Sequence, residues 1–196
     1  MVDMAKVKSR VQLALEGRVY VGSAAAGGFA IPIYSNTTQQ FGLWNPAGSD
    51  KWAEIFNIGL GSYVSTTGAA GGYVLGIVKG APAQLATGAK ITAFTETTPE
   101  NAIPGFGAVN TVKFGQGATL TVTAPTLFRH LSINQDVVPA TSVVQYAIKG
   151  PVVEFPDRTL WLPPGNAVFL CGNIATLSLY APTVEWGEHD RADVAP

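Results

Sequence analysis

Residues 159–172 have the sequence TLWLPPGNAVFLCG, in which two apolar runs flank the segment Pro163-Pro164-Gly165. Proline presets φ and glycine tolerates positive φ, so this central segment has the chemistry of a tight turn. Short apolar runs that are bounded by turn residues are typical of buried β-strands. The stretch therefore predicts a strand, a turn and a second strand.

The rest of the chain repeats this pattern. Its 22 glycines and 13 prolines are spread along the sequence and separate short β-type runs, such as the alternating residues 119–123. The run from Ile174 to Trp186 is predicted to be a long strand with a bulge at Pro182. These runs amount to about eight to ten strands, without the alternation of strands and helices that a parallel sheet requires. We expect an all-β fold, specifically an antiparallel jelly-roll-type β-sandwich with an N-terminal arm and a long irregular insertion.

The predicted organisation has three parts: an arm at 1–17, a sandwich domain at 18–186 with a loop excursion at 81–117, and a loose charged tail at 187–196. Alternation along residues 6–16 favours an edge strand for the arm. However, Val7, Val11 and Leu15 also have the spacing of one helix face, so a short helix remains an alternative.

Charge is scarce in this chain. Hydrophobic residues make up 47% of it and charged residues 13%, whereas soluble domains carry roughly a quarter charged residues. The net charge is -1, and the densest positive group is Lys6, Lys8 and Arg10, which argues against direct nucleic-acid binding. No apolar run reaches the roughly 20 residues of a membrane helix, and no secretory signal is present, so synthesis in a cytoplasm is expected. A soluble chain this poor in charge is expected to cover its surface with copies of itself.

The sequence offers little catalytic chemistry. The single cysteine, Cys171, lies in an apolar run and is predicted to be a buried, inert thiol. Of the two histidines, His130 is predicted to be a structural strand residue, and no Gly-x-Ser-x-Gly motif accompanies it. His189 lies among acidic residues near the C-terminus, without an EF-hand pattern or paired-histidine spacing, and a solvated tail is predicted there. Two distant histidines also suit a metal-dependent cupin poorly.

Several carboxylates could supply the acid and base of a glycoside hydrolase, but sequence positions give no distances between them. These residues are Glu54, Glu96, Glu100, Glu154 and Asp157. The prediction is accordingly a protein that is not an enzyme and that has no cofactor and no metal.

Two segments are candidates for assembly contacts. The arm contributes Val7, Val11 and Leu13, and an unusually apolar loop tip at 102–107 contributes Ile103 and Phe106.

A tryptophan is the candidate exposed aromatic. Trp44 lies beside the turn formed by Asn45 and Pro46, where a ring could stack on a sugar, whereas the other tryptophans are assigned to the core.

The turn phrases of this chain resemble those of small tailed-bacteriophage virion structural proteins. They are FGLWNPAGS at 41–49, YVSTTGAAGG at 63–72, LPPGNA at 162–167 and the closing Val184-Glu185-Trp186. The resemblance spans most of residues 28–186, although Asp50 stands where the first phrase of that family ends in glycine. Because these are turn phrases and not catalytic signatures, they carry no functional residues over.

The resemblance implies a jelly-roll decoration, cement or spike-like subunit of the virion. Such a protein would form a homotrimer, contact phage capsid or tail proteins, and stabilise the particle without chemistry. The alternative function is a receptor- or glycan-binding module of a phage tail or fibre, which shares the fold but requires exposed aromatic side chains.

Overall fold

The computed structural model describes residues 7–24, 30–33, 38–39, 41–64, 73–79, 91–107, 109–120, 126–130, 152–154, 160–172 and 179–194. In these ranges the chain is almost entirely β-structure, with one short helix near each end. The elements in chain order are α1 (Arg10–Leu15), β1 (Val19–Ser23), β2 (Thr38–Gln39), β3 (Gly42–Asn45), β4 (Lys51–Val64), β5 (Tyr73–Lys79), β6 (Ile91–Glu96), β7 (Glu100–Asn101), β8 (Lys113–Leu120), β9 (Thr126–His130), β10 (Val152–Glu154), β11 (Trp161–Leu162), β12 (Asn166–Gly172), β13 (Leu179–Asp190) and α2 (Arg191–Val194).

The described strands form two sheets. The first has the order β10-β4-β13-β1-β7, with β11 also paired to β4. The second has the order β2-β8-β3-β12-β5-β9, with β6 also paired to β8. Every ladder between these strands is antiparallel. The predicted all-β, antiparallel fold is therefore confirmed.

Residues 160–172 form the predicted strand, turn and strand. The two strands lie in different sheets, because β11 pairs with β4 and β12 pairs with β3 and β5. The turn between them therefore crosses the sandwich, with Gly165 at a φ of 76°, a conformation that favours glycine. Residue 159 lies outside the described residues.

The main core lies between the two sheets. Trp186 of β13 is fully buried, and its ring centroid lies 5.6 Å from that of Tyr20 in the same sheet and 6.1 Å from that of Phe114 in the other. Leu43 and Val168 of the second sheet belong to the same cluster. The shared cluster gives the described chain a sandwich-like arrangement.

The outer face of the second sheet is also apolar. Trp44, Phe94, Phe169 and Cys171 belong to a separate buried cluster there, and the rings of Trp44 and Phe94 meet edge to face at 6.0 Å. Since side chains alternate between the two faces of a strand, Trp44 points away from the main core that its neighbour Leu43 enters.

The outer face of the first sheet is covered by α1. Leu13 is buried with Val19 and Phe56, and a Cβ at Gly187 would lie 2.7 Å from Leu13 Cδ1. The helix begins at a complete capping box, in which the side chains of Ser9 and Gln12 each accept a backbone N–H bond from the other residue. The helical alternative for the arm is confirmed, and the edge strand is wrong.

The central ladder pairs β4 with β13 from Lys51 to Val64. The predicted bulge at Pro182 is wrong, because Pro182 lies in register with Leu60 and its carbonyl accepts a bond from Ala24 N at 2.9 Å. The register shifts occur at the two steps Leu179/Tyr180 and Glu185/Trp186.

Two further predictions are corrected. The excursion predicted to be irregular contains β6, β7 and the first part of β8, while residues 81–90 lie outside the described residues. The close approach of β6 and β8 requires a glycine at Gly115, where a Cβ would be 2.3 Å from Thr95 O, and this glycine interrupts the alternation of side chains that would indicate a strand. The predicted loose tail is also wrong: residues 187–190 complete β13, and α2 places Val194 in a buried position.

Candidate assembly surface and buried polar clusters

The structure brings the two predicted contact segments together. Asn101 of β7 pairs with Tyr20 of β1, and its side-chain Nδ2 donates to Gly17 O at 2.6 Å. Ala102 N donates to Val19 O at 2.9 Å, which continues this connection into the loop. The loop tip is thereby held beside the end of α1, although the two segments are separated by more than 80 residues in the sequence.

The tip contacts the arm where the ring of Phe106 packs against Gly17. A Cβ at Gly17 would lie only 2.7 Å from Phe106 Cδ1, so Phe106 packs where a side chain would otherwise stand. Gly17 also has a φ of 69°, in the left-handed region. On the other side of this contact, Gly105 and Gly107 have open space around them.

Exposed apolar side chains lie on both of the joined segments, and we call Val11, Leu15 and Phe106 the apolar patch. Val11 and Leu15 stand one helical turn apart on the same side of α1 and are 68% and 69% exposed, and Phe106 is 48% exposed. Two of the predicted assembly contacts, Val11 and Phe106, are thus on the surface.

The other predicted contacts are less accessible. Leu13 is fully buried under α1, against Val19 and Phe56, and Val7, which precedes the helix, is also buried. Neither side chain therefore lies on the surface of the single chain, and their assembly role stays a prediction. Ile103 is partly buried.

The predicted exposed aromatic is also wrong. Trp44 is buried in the outer cluster of the second sheet, against Phe94. In the adjacent turn Ala47 and Gly48 are exposed, but the ring of Trp44 itself points into the protein.

Charged side chains around α1 are satisfied within the chain. Lys8 Nζ pairs with Glu16 Oε2 at 2.8 Å, and the Arg10 guanidinium pairs with Glu185 while lying 5.1 Å above the Phe56 ring. The hydrogen bond from Lys8 lowers the pKa of the Glu16 carboxyl. The apolar patch is therefore bordered by charges that already have partners.

A buried carboxylate lies behind the loop. Glu188 follows Trp186 by two residues on β13, shares its inward side, and is 2% exposed. Its carboxylate accepts the backbone N–H of Thr111 at 3.0 Å and that of Val112 at 2.9 Å. Burial raises the pKa of Glu188, and these two hydrogen bonds offset part of that effect. Tyr20 lies close by, and burial followed by the Glu188 charge raises its pKa to about 12.

A second buried pair lies on the opposite side of β13. His189 Nε2 is 2.9 Å from Glu54 Oε2, and the His189 ring centroid lies 4.9 Å from that of Trp161. Among the described residues, His189 Nδ1 and the indole N–H of the cross-strand neighbour Trp52 have no hydrogen-bond partner. The predicted solvated position of His189 is wrong, because Glu54 and the indole of Trp161 enclose its ring.

An ion-pair network closes the same end of the first sheet. Asp190 bonds to both Lys51 and Arg18, and Arg18 also reaches Glu16 at 3.3 Å. The hydrogen bond from Lys51 is the largest of the effects that lower the pKa of Asp190.

The thiol is buried, as predicted. Cys171 is fully buried, its Sγ lies 3.2 Å from Gln39 Oε1, and burial raises its pKa to about 12. A thiol with this pKa is almost entirely protonated near neutral pH and is a poor nucleophile.

The structure places some of the side chains that were considered for metal binding and catalysis. No group of three or more His, Cys, Asp or Glu side chains within it is placed to hold a metal ion. Glu54, one of the carboxylates considered for a glycoside hydrolase, is buried against His189, whereas Glu96 pairs with Lys113 at 3.2 Å. Asp157 and the side chains of Glu154 and His130 lie outside the described set.

None of the helices in the described ranges is long and apolar enough to cross a bilayer.

Comparisons with known proteins add no relative. No family model, no curated protein and no solved structure matches the chain.

Proposed function

We propose that the chain is a structural protein of a tailed-bacteriophage particle, a capsid decoration or cement subunit of jelly-roll type. In this proposal it is made in the host cytoplasm, forms a homotrimer, and binds capsid or tail proteins in the virion. Its work is mechanical and not enzymatic: each subunit adds contact area between its neighbours. The turn phrases, the all-β antiparallel fold and the low charge content support this proposal.

The observation that carries the proposal is the apolar patch. Val11 and Leu15 are exposed on the arm and Phe106 on the loop tip, and the pairing of β1 with β7 joins the two segments. Exposed apolar side chains that cluster in this way mark protein–protein contacts. Since Lys8 and Arg10 already have acidic partners, a protein surface of low charge is the partner that suits the patch.

Particle binding is the direct test. Phe106→Ser and a double variant, Val11→Ser with Leu15→Ser, are mixed with purified particles that lack the protein, and the bound fraction is measured after sedimentation. Phe128→Ser is the matched control, since Phe128 is 47% exposed on β9, almost the same fraction as Phe106. We expect both patch variants to bind at least tenfold more weakly, and the control to bind as the native chain does.

The outcome that contradicts the proposal is native binding by both patch variants. Light scattering on the same samples measures the native mass, and a monomer for the unaltered chain would contradict the trimer. Point variants serve better than deletion of residues 1–16, because that deletion also removes Leu13 from under α1.

The alternative function is a receptor- or glycan-binding module of a tail or fibre. The burial of Trp44 removes its predicted stacking platform, and Phe106 at an open loop tip is the observation that still favours it. In that case Phe106→Ser abolishes attachment to host cells or glycans and leaves particle incorporation intact.

A further inference from the structure

The loop that carries Phe106 is anchored at its far end by a buried carboxylate. Thr111 N and Val112 N both donate to Glu188, and Glu188 is the last inward-facing side chain of β13 before the Asp190 network. Two backbone donors of the loop therefore converge on one acceptor, and the charge of that one side chain affects both bonds.

A second bond joins the same place to β1. Tyr20 Oη donates to Val109 O at 2.8 Å, and Val109 is itself a highly exposed apolar residue. The loop therefore has one end fixed by Asn101 and the other by Glu188 and Tyr20, with Phe106 between these anchors.

We propose that Glu188 is a proton-dependent latch that sets how tightly the 102–112 loop, and with it Phe106, is held against the sandwich. The latch itself stands on the geometry of Glu188, and its relevance to assembly rests on the proposed function. When the carboxyl is protonated, the closed loop buries a neutral group. When it is ionised, the closed loop buries a charge that opening would expose to water.

The surroundings of Glu188 fix the sign of this effect. Lys51, at the start of β4, acts on the charge of Glu188, and that charge in turn acts on Tyr20 of β1. The other charged groups near it are Arg18, which precedes β1 and accepts the Glu188 N–H with its carbonyl, and Asp190, two residues further along β13. The 102–112 loop contains no titratable side chain. Arg18 and Lys51 are both paired with Asp190, so the burial of Glu188 outweighs the one cationic contribution, from Lys51, and raises its pKa.

The closed loop is therefore most stable in acid. Below the ordinary carboxyl pKa of 4.5, Glu188 is protonated whether the loop is closed or open, and closure has its full strength. As the pH rises from there through the raised pKa of the closed state, opening becomes easier by at most about tenfold per pH unit. Above that pKa the effect levels off.

Amide hydrogen exchange on the isolated chain tests the latch. The protection of the Thr111 and Val112 amides, corrected for the intrinsic pH dependence of exchange, is measured by NMR from pH 4 to pH 8. We expect their protection to fall over the predicted interval and the Phe106 ring signals to shift with the same midpoint. The Ile55 amide, which donates to Leu160 O at 3.0 Å in the first sheet, is the internal control and should stay constant.

Glu188→Gln separates the latch from general loosening, because a carboxamide has no charge to bury. The amide oxygen of this variant can accept from Thr111 and Val112 as Glu188 Oε1 does, and we expect protection at both amides that does not change with pH. The proposal is overturned if the native amides show no change relative to Ile55, or if Glu188→Gln shows the same change as the native chain. Should this variant fail to fold, the ¹³C titration of the Glu188 carboxyl in the native chain decides, since the amides must follow its midpoint. The experiment contains no particles, so its failure leaves the proposed function untouched.

Discussion

His189 on β13 and Glu54 on β4 form a buried pair, with Nε2 2.9 Å from Oε2, between residues 135 positions apart in the sequence. The pair lies on the outer side of the first sheet, where α1 covers Gly187 and the Trp161 ring packs at a tilt of 54° against the imidazole. It joins the C-terminal end of β13 to the N-terminal end of its partner strand β4. The end of the sheet therefore depends on a polar contact that sequence patterns do not reveal.

Removing either member of this pair should be strongly destabilising. Glu54→Ala or His189→Ala leaves the other polar group buried without its partner, and we expect a loss of about 3–5 kcal/mol in the free energy of unfolding. The double variant should lose less than the sum of the two, and urea unfolding of all four proteins measures the difference. Strict additivity would show that the 2.9 Å contact contributes nothing to stability.

Gly187 should not tolerate a side chain. A Cβ there would lie 2.7 Å from Leu13 Cδ1 and 2.8 Å from Phe56 Cζ, so Gly187→Ala forces α1 away from the sheet. We expect a loss of about 1–3 kcal/mol, as for other overpacked cores, together with faster proteolysis near α1. Gly48→Ala is the control, since nothing lies within 4 Å of a Cβ at Gly48. Equal stability of the two variants would contradict the docking of α1.

The sequence predicts the part of this fold that depends on local patterns. The segment Pro163-Pro164-Gly165 predicts its turn because proline and glycine restrict or free φ whatever lies around them. The same holds for the apolar run that contains Cys171, which is buried as expected. The helix of the arm stays ambiguous, because Val7, Val11 and Leu15 fit both a strand and a helix, and only contact with Phe56 and Gly187 decides between them.

The candidate site could be predicted only in part. An apolar loop tip and an apolar arm are visible in the sequence, but their meeting depends on the pairing of Tyr20 with Asn101. The burial of Glu188 and His189 is hidden, because charged residues near a terminus resemble a solvated tail until their partners are known. Nothing local marks Thr111 and Glu54 as those partners.

Acid should weaken the ion-pair network around Asp190. Because the Lys51 and Arg18 bonds lower the pKa of Asp190 below its ordinary 3.8, its contribution is present above that pH and disappears as the pH falls through the folded-state pKa. We expect Asp190→Asn to remove this acid-sensitive part of the stability, measured as the pH dependence of the thermal midpoint. Asp50→Asn is the control, with a side chain 77% exposed and 3.7 Å from Lys51. An Asp190→Asn variant with the native acid response would contradict the assignment. The sign is opposite to that of Glu188, so the two effects can be told apart.

Of the residues in FGLWNPAGS at 41–49, Asn45 should tolerate substitution least. It is buried, and its Nδ2 donates at 2.9 Å to two carbonyls of the first sheet, Leu162 O and Lys51 O, although Asn45 belongs to the second sheet. Asn45→Ala removes both of these bonds and leaves Lys51 O only the longer bond from Ser49 Oγ at 3.4 Å, and we expect a loss of about 2–4 kcal/mol. Asn45→Asp should be worse, because an acceptor then faces two acceptors at almost unchanged volume. Denaturant unfolding measures both losses, and an aspartate variant more stable than the alanine variant would contradict this role. Asn45 thus joins the two sheets where the turn begins. The asparagine in FGLWNPAGS therefore has a structural role that involves no ligand.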